Sequence, residues 1–338
     1  MDRHEDIFDI AKLILSVFVV GIHANAYPEI MNPLYRTAVP LFFMMSSYFF
    51  FRSAARNETA NHKRIKKFVI RNLRLYGFWF AALFPLTLKI RNYFAEGFAA
   101  GLLNLMHNFF FYSTFRASWY LIALCTAMTM FYYLSRKLSN KCLLCISVPI
   151  YLLYCLFSNY YGLLSGWSCW NSFCSWYRSV FLTLCNNFPA AFLWLVFGKM
   201  FAERKIEISA KRAWWMLLGS VLLLYMEQTV VLLYGFPDKT DYYLGLVPFC
   251  LALFSLLCGA DVQCRMAPLL RKTSTVMYVL HSSAMSVLNV VGKRLFAVPE
   301  HSMPVFLMIS SVGVCIAATL VISCLEQKRG FRWLKYAY

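Results

Sequence analysis

The sequence predicts an all-α integral membrane protein with about ten transmembrane helices. Of its 338 residues, 60% are hydrophobic and 14% are charged, which is too little charge for a water-soluble surface. Apolar runs of about 20 residues, the length that a helix needs to cross a bilayer core, follow one another along nearly the whole chain. Residues 1–338 are therefore predicted to form a single polytopic membrane domain, without a separate soluble domain.

Apolar length also predicts where the helices cross the membrane. The ten predicted spans lie near residues 7–27, 33–51, 68–90, 117–135, 142–158, 178–201, 213–234, 242–260, 273–292 and 303–325. The apolar segment at residues 98–112 is short for a span. It is predicted to form an interfacial helix between the third and fourth spans.

The basic residues indicate how these helices are oriented. Clusters of lysine and arginine follow the second, fourth and sixth spans, precede the ninth span and occupy the C-terminal tail. Because loops rich in lysine and arginine stay in the cytoplasm, both termini are predicted to be cytoplasmic. The formal net charge of +18 then lies mainly at one membrane face. Anionic lipid headgroups or an anionic ligand are the partners expected there, and nucleic acid is not.

The twelve cysteines predict no metal site. Most of them lie within apolar runs, where cysteine packs as a small hydrophobic residue. Cys169 and Cys174 fall in the loop at residues 159–177, which is predicted to face outward. The sequence leaves open whether these two residues form a disulfide.

The first span carries ionisable side chains along one face. Lys12 and His23 are eleven residues apart, which is close to three helical turns and about 16 Å. Asp9 precedes Lys12 at the spacing that allows an ion pair. Groups of this kind are costly in lipid and usually face an interior cavity. The alternatives are a lysine that extends to the headgroups and a histidine that makes a buried polar contact.

The third span begins with two arginines on one helical face. Arg71 and Arg74 are three residues apart and follow a run of further basic residues. Such a cluster can simply anchor the helix at the cytoplasmic side. Guanidinium groups also bind phosphate well, so the same pair could hold a phosphorylated ligand.

Two later spans carry further polar groups. Ser274, Tyr278 and His281 lie on one face of the ninth span, and Glu227 lies near the middle of the seventh. Each of these groups could contact an acceptor molecule or support a catalytic residue. Each could equally satisfy a hydrogen bond between helices, and the sequence does not separate the two roles.

These positions predict an enclosed passage with cations at its cytoplasmic mouth and an imidazole beyond them. Coenzyme A suits such a passage, because its phosphates can stay at the mouth while its narrow arm presents a thioester near His23. An imidazole with a pKa of about 6.5 can take the proton of an attacking hydroxyl. Attack by His23 itself, through an acyl-imidazole, stays open as an alternative. A donor near Ser46, Ser47 or Trp119 could stabilise the oxyanion.

Several segments resemble the membrane-bound acyltransferase family 3, whose members O-acylate surface polysaccharides and related envelope molecules. In chain order the matching segments are Lys12 and His23 with ten residues between them, VPLFFMMSSYFF at 39–50, Arg71-Asn72-Leu73-Arg74, SWYLIAL at 118–124 and STVMYVLH at 274–281. The sequence departs from the family pattern at Lys12, where arginine is usual, and at Ser47, where glycine is usual.

The resemblance implies a multi-pass O-acetyltransferase of a bacterial inner or plasma membrane. It would transfer an acyl group, with acetyl as the first candidate, from cytoplasmic acyl-CoA to a hydroxyl of an extracytoplasmic or lipid-linked glycan. His23 would be the catalytic base, and Lys12, Arg71 and Arg74 would bind acyl-CoA. Acetyl-CoA or another acyl-CoA would be a donor substrate rather than a permanent cofactor. A separate extracytoplasmic protein could deliver the acceptor.

Two other functions are compatible with the same polar groups. A transporter of a small polar metabolite such as an amino acid would also need them, but the sequence shows no paired halves or interrupted helices. A non-catalytic partner in envelope assembly would tolerate loss of His23.

Overall fold

The computed structural model describes residues 6–54, 58–111, 113–115 and 118–338, and every regular element in these ranges is a helix. The α-helices are α1 (Asp6–Ala24), α2 (Pro28–Tyr35), α3 (Ala38–Arg52), α4 (Glu58–Arg91), α5 (Phe98–Phe111), α6 (Trp119–Lys137), α7 (Asn140–Phe157), α8 (Ser168–Phe181), α9 (Phe192–Ala202), α10 (Ala210–Leu233), α11 (Leu246–Gly259), α12 (Ala267–Arg294) and α13 (Met303–Glu326). Short 3₁₀ helices occupy Tyr161–Leu163, Phe188–Ala191, Glu300–Ser302 and Arg329–Ala337.

Five helical segments in the described ranges are long and apolar enough to cross a membrane. They are α1, α7, α10, α12 and the segment Glu300–Glu326, which contains α13. A helix satisfies its own backbone hydrogen bonds and therefore tolerates hydrocarbon. The predicted all-α membrane class is confirmed. The number of ten spans, the side on which the termini lie and the interfacial position of residues 98–112 remain predictions.

The predicted sixth span, residues 178–201, is not one continuous helix. Helix α8 ends at Phe181, and Leu182 takes a left-handed conformation with a φ of 59°. The chain then runs without α-helix to a 3₁₀ turn that contains Pro189, and α9 begins only at Phe192. Apolar composition does not report backbone conformation, so the sequence did not reveal this break.

Helices α1 and α12 run side by side in the same direction. Near their starts, the Ser274 hydroxyl donates to the carbonyl of Lys12 at 3.0 Å. Further along, the ring centroids of His23 and His281 are 5.0 Å apart. Residues near the starts of α1, α4 and α12 and the end of α3 line common cavities. We call this end of the bundle the basic end.

Helices α3 and α9 pack with almost no space between their backbones. The Ser47 hydroxyl is buried and donates to the carbonyl of Leu195 at 2.6 Å. A Cβ atom at Gly198 would overlap the carbonyl oxygen of Met44 and would lie 2.8 Å from Cβ of Ser47. Small residues at such a contact allow the close approach on which helix packing in membranes relies.

We expect Gly198→Ala to destabilise the protein and Gly219→Ala not to do so. The added methyl group at Gly198 meets backbone, whereas a Cβ at Gly219 in α10 has nothing within 4 Å. Overpacking costs about 1–3 kcal/mol, while alanine in place of glycine in an open helix gains up to about 1 kcal/mol. Melting midpoints of the purified proteins in detergent measure the difference. Equal midpoints for Gly198→Ala and the unsubstituted protein would contradict the close α3–α9 contact.

Candidate functional site

A basic cavity of about 560 Å³ opens at the basic end of the bundle. Its charged lining residues are Asp9, Lys12, Arg71, Arg271 and Lys272. An adjoining cavity of about 610 Å³ shares Lys12 and Arg71 with it. The adjoining cavity also has three basic lining residues of its own, namely Lys63, Arg64 and Lys67.

Asp9 joins two of the cations in the basic cavity. Its carboxylate accepts from Lys12 Nζ at 2.9 Å and from Nε and Nη2 of Arg271, each at 2.9 Å. The Asp9 side chain is 3% exposed, and a buried carboxylate requires such partners. Lys272 pairs with Glu326 at 3.0 Å. Two carboxylates therefore face four cations, and the excess positive charge suits a ligand with several negative charges.

The two arginines of the third predicted span do not share one environment. Arg71 lines both basic cavities. Arg74 is exposed and lies outside the lining of both cavities, with its guanidinium carbon 5.8 Å from the ring centroid of Tyr336. Arg271 was missed as a ligand-binding candidate, because the sequence shows it only as one of several basic residues before the ninth predicted span.

A smaller cavity of about 80 Å³ is lined in part by His23, the penultimate residue of α1. We call it the histidine cavity. Its polar and aromatic lining residues are His23, Arg36, Phe42, Phe43, Trp119, Tyr120, Asn186, Trp194, Asp241, Tyr242 and Tyr278. Aromatic walls with a few convergent polar groups are typical of a small-molecule site.

His281 stands beside His23 and is completely buried. Its Nδ1 lies 2.8 Å from the carbonyl oxygen of Met277, one helical turn earlier. A carbonyl only accepts, so Nδ1 is the nitrogen that donates in this contact. The structure thus brings two imidazoles together from α1 and α12.

Phe42, Tyr120 and Tyr278 line both the basic cavity and the histidine cavity. We call these three residues the aromatic partition. The ring centroids of Tyr120 and Tyr278 are 5.4 Å apart, and those of Tyr120 and Phe42 are 6.2 Å apart. The sequence predicted one enclosed passage. The structure instead has two cavities that meet at the aromatic partition.

The three residues proposed as oxyanion donors occupy different places. Trp119, the first residue of α6, lines the histidine cavity. Ser46 lines the two basic cavities, donates to the carbonyl of Phe42 at 2.8 Å and lies 3.5 Å from the hydroxyl of Tyr120. Ser47 lies in the α3–α9 contact. Of the three, only Trp119 is in a position to reach a group bound beside His23.

Glu227 lies outside the lining of the histidine cavity and holds the start of α11. Its carboxylate accepts from the Tyr160 hydroxyl at 2.8 Å and from the backbone N–H groups of Leu244 and Gly245 at 2.7 and 2.9 Å. A carboxylate at a helix N-terminus is favourable there. Glu227 thereby fixes the chain just beyond Asp241.

The structure also reveals an ion pair in the histidine cavity that the sequence did not indicate. Arg36 Nη1 lies 2.6 Å from Oδ1 of Asp241, and Arg36 Nε donates to Asn32 Oδ1 at 3.0 Å. Both charged side chains are partly buried. The sequence feature that could have indicated this ion pair is the position of Arg36 inside the second predicted span, where an ionisable group is costly.

Cys169 and Cys174 are both free thiols. They lie on α8, where Cys169 is exposed and Cys174 is buried. Five residues apart on one helix, they point in different directions. Cys169 and Cys174 therefore do not form a disulfide with each other in this structure.

Comparison with known proteins identifies the family of the chain. A family model described as an acyltransferase domain matches residues 5–324. Two curated proteins of Enterococcus faecalis, each named amino-acid racemase, are also similar to the chain. One is 23% identical over an alignment of 337 residues that covers 93% of this chain and 45% of that protein. The other is 26% identical over an alignment of 262 residues that covers 74% of this chain and 35% of that protein.

The chain thus spans less than half the length of either of these relatives. No solved structure matches the chain. The family match, which covers nearly the whole sequence, supports a membrane acyltransferase. The chain belongs to acyltransferase family 3, the membrane-bound family whose motifs its helices carry.

Proposed function

We propose that this protein transfers an acyl group, with acetyl as the first candidate, from cytoplasmic acyl-CoA to a hydroxyl of an extracytoplasmic or lipid-linked glycan. One observation carries the proposal. A cavity with four cations and a cavity with His23 meet at the same three aromatic side chains. A ligand with phosphates at one end and a reactive group at the other suits this arrangement.

The basic cavity would bind the donor. Lys12, Arg71 and Arg271 present ammonium and guanidinium groups to one space, and the planar fork of arginine pairs well with phosphate oxygens. Asp9 would keep Lys12 and Arg271 in position between turnovers. Arg74, which lies outside both basic cavities beside Tyr336, would add positive charge near the donor without direct contact with it.

His23 would act as a general base. The acceptor O–H gives its proton to the imidazole while the oxygen attacks the thioester carbonyl. The C–S bond of the tetrahedral intermediate then breaks, and the imidazolium returns the proton to the thiolate of CoA. The products are an ester and free CoA. Of the proposed oxyanion donors, Trp119 is the one that lines the histidine cavity, and His281 would orient His23.

The polar side of the histidine cavity would contact the edge of the acceptor that carries the reacting hydroxyl. The Arg36–Asp241 pair offers donors and acceptors side by side, and Trp119, Trp194 and Tyr242 offer aromatic surfaces. A sugar has both hydroxyl groups and an apolar ring face, so it matches such a wall. An acceptor that contacts these residues from outside the cavity would extend one hydroxyl towards His23.

Transport is the second candidate function, and the helix break at residues 182–191 favours it. Asn186 from this break lines the histidine cavity, and interrupted helices form the substrate sites of many transporters. The relatives named amino-acid racemases suggest an amino acid as the solute to test. Uptake of labelled amino acids by protein-containing liposomes, without added acyl-CoA, would favour transport over acyl transfer.

We expect His23→Ala to abolish acyl transfer while the protein still accumulates in the membrane. Removal of a general base lowers turnover about 10²- to 10⁴-fold. The measurement is release of CoA from acetyl-CoA together with incorporation of labelled acetyl into membrane glycans. His301→Ala is the matched control, because His301 is exposed in a 3₁₀ turn outside these cavities. Normal turnover in the His23 variant would refute the mechanism.

We expect Arg71→Gln and Arg271→Gln to weaken CoA binding, each by about 1–2 kcal/mol, because each removes charged hydrogen-bond donors from the basic cavity. The loss should shrink between 0.1 and 1 M salt, as the screening length falls from about 10 to about 3 Å. Titration calorimetry with CoA measures both effects. Arg265→Gln, at an exposed arginine before α12, should bind like the unsubstituted protein. If the unsubstituted protein and the three variants bind CoA equally well, CoA does not bind in the basic cavity.

We expect the acceptor to be found among envelope molecules that lose an acetyl mass when the gene is deleted. Mass spectrometry of glycans and lipids from cells with and without the gene makes this comparison. Complementation with the unsubstituted gene should restore the lost acetyl mass on the acceptor, and complementation with the His23→Ala gene should not. Identical spectra under all conditions would count against a glycan acceptor.

A further inference from the structure

We infer that the aromatic partition of Phe42, Tyr120 and Tyr278 selects short acyl groups, so that acetyl is transferred in preference to longer chains. The inference rests on the proposed function and adds a determinant of donor specificity to it. It names the side chains that an acyl thioester must pass to reach His23.

The partition is a wall that the two cavities share. Phe42 comes from α3, Tyr120 from α6 and Tyr278 from α12, and in the described part of the chain these three residues alone line both the basic cavity and the histidine cavity. A thioester held by its phosphates in the basic cavity therefore approaches His23 past these rings.

The rings of the partition are supported by their neighbours. The centroid of Tyr120 lies 4.7 Å from that of Phe43 and 5.4 Å from that of Tyr278. Its hydroxyl is 3.5 Å from the hydroxyl of Ser46. Side chains packed in this way resist displacement, because forcing extra atoms into a close-packed site strains rotamers and backbone. The width of the passage is therefore set by the partition.

The sizes of the two cavities indicate where the length of the acyl group is limited. The basic cavity measures about 560 Å³ and the histidine cavity about 80 Å³. The smaller volume holds a few water molecules and suits the three heavy atoms of an acetyl group. A hexanoyl group has four additional methylenes that would have to enter the partition. One unwanted methylene in a fitted pocket is worth about 10- to 200-fold in specificity.

The test uses inside-out membrane vesicles from cells that express the protein, because such vesicles carry their own acceptors. Acetyl-CoA, butyryl-CoA and hexanoyl-CoA, each deuterated in the acyl group, are supplied together at equal concentration. Mass spectrometry then measures the labelled acyl groups in the glycan and lipid fractions. For the unsubstituted protein we expect at least about 100-fold more acetyl than hexanoyl transfer.

We expect Tyr120→Ala to lower this acetyl-to-hexanoyl ratio at least about tenfold and Phe42→Ala to lower it in the same direction, because each removes a ring from the partition. Tyr120→Phe keeps the ring and should keep the ratio. Phe110→Ala removes an exposed ring of α5 and should change neither the ratio nor the rate. Tyr120→Leu provides a smaller reduction in volume if the alanine variant does not accumulate.

The outcomes separate this inference from the proposed function. If the unsubstituted protein transfers none of the three acyl groups, the proposed function fails. If it transfers acetyl and hexanoyl equally well, the inference is overturned and acyl transfer stands. The inference is also overturned if the ratio in Phe42→Ala and in the Tyr120 variant that accumulates equals that of the unsubstituted protein.

Discussion

The buried carboxylate of Asp9 joins the two helices on which both parts of the candidate site depend. It holds Lys12 of its own helix and Arg271 of α12 at 2.9 Å. A charge so deeply buried is stable only with these partners, so the contact fixes the register of α1 against α12. The same register places His23 beside His281 at the far end of the contact.

The parallel course of α1 and α12 explains why the cations and the imidazoles lie in line. Each helix contributes a cation near its start and a histidine several turns later. Helix α3 brings Phe42 and α6 brings Tyr120 between these levels. Two chemically different spaces result, one suited to phosphate and one suited to proton transfer. Packed aromatic rings lie between the two spaces.

The non-helical segments shape the side of the histidine cavity that faces away from the basic end. The break between α8 and α9 contributes Asn186, and the segment before α11 contributes Asp241. Irregular backbone inside a membrane domain is tolerated where protein buries it or a cavity adjoins it. Glu227 satisfies the backbone of the second segment through Leu244 and Gly245. The cost of burying the Glu227 carboxylate is offset by its three hydrogen bonds, to Tyr160, Leu244 and Gly245.

The sequence by itself determined the all-α membrane class and the helical faces that carry Asp9, Lys12 and His23, because hydrophobic length and helical spacing are local properties. Only the tertiary structure decided which faces meet. It paired Asp9 with Arg271, set His281 beside His23 and joined residues distant in the chain into one cavity wall. It also placed Arg74 outside the cavities that Arg71 lines and interrupted the sixth predicted span. Those outcomes depend on contacts between separate helices and on backbone conformation, and neither is encoded in the periodicity of a single apolar run.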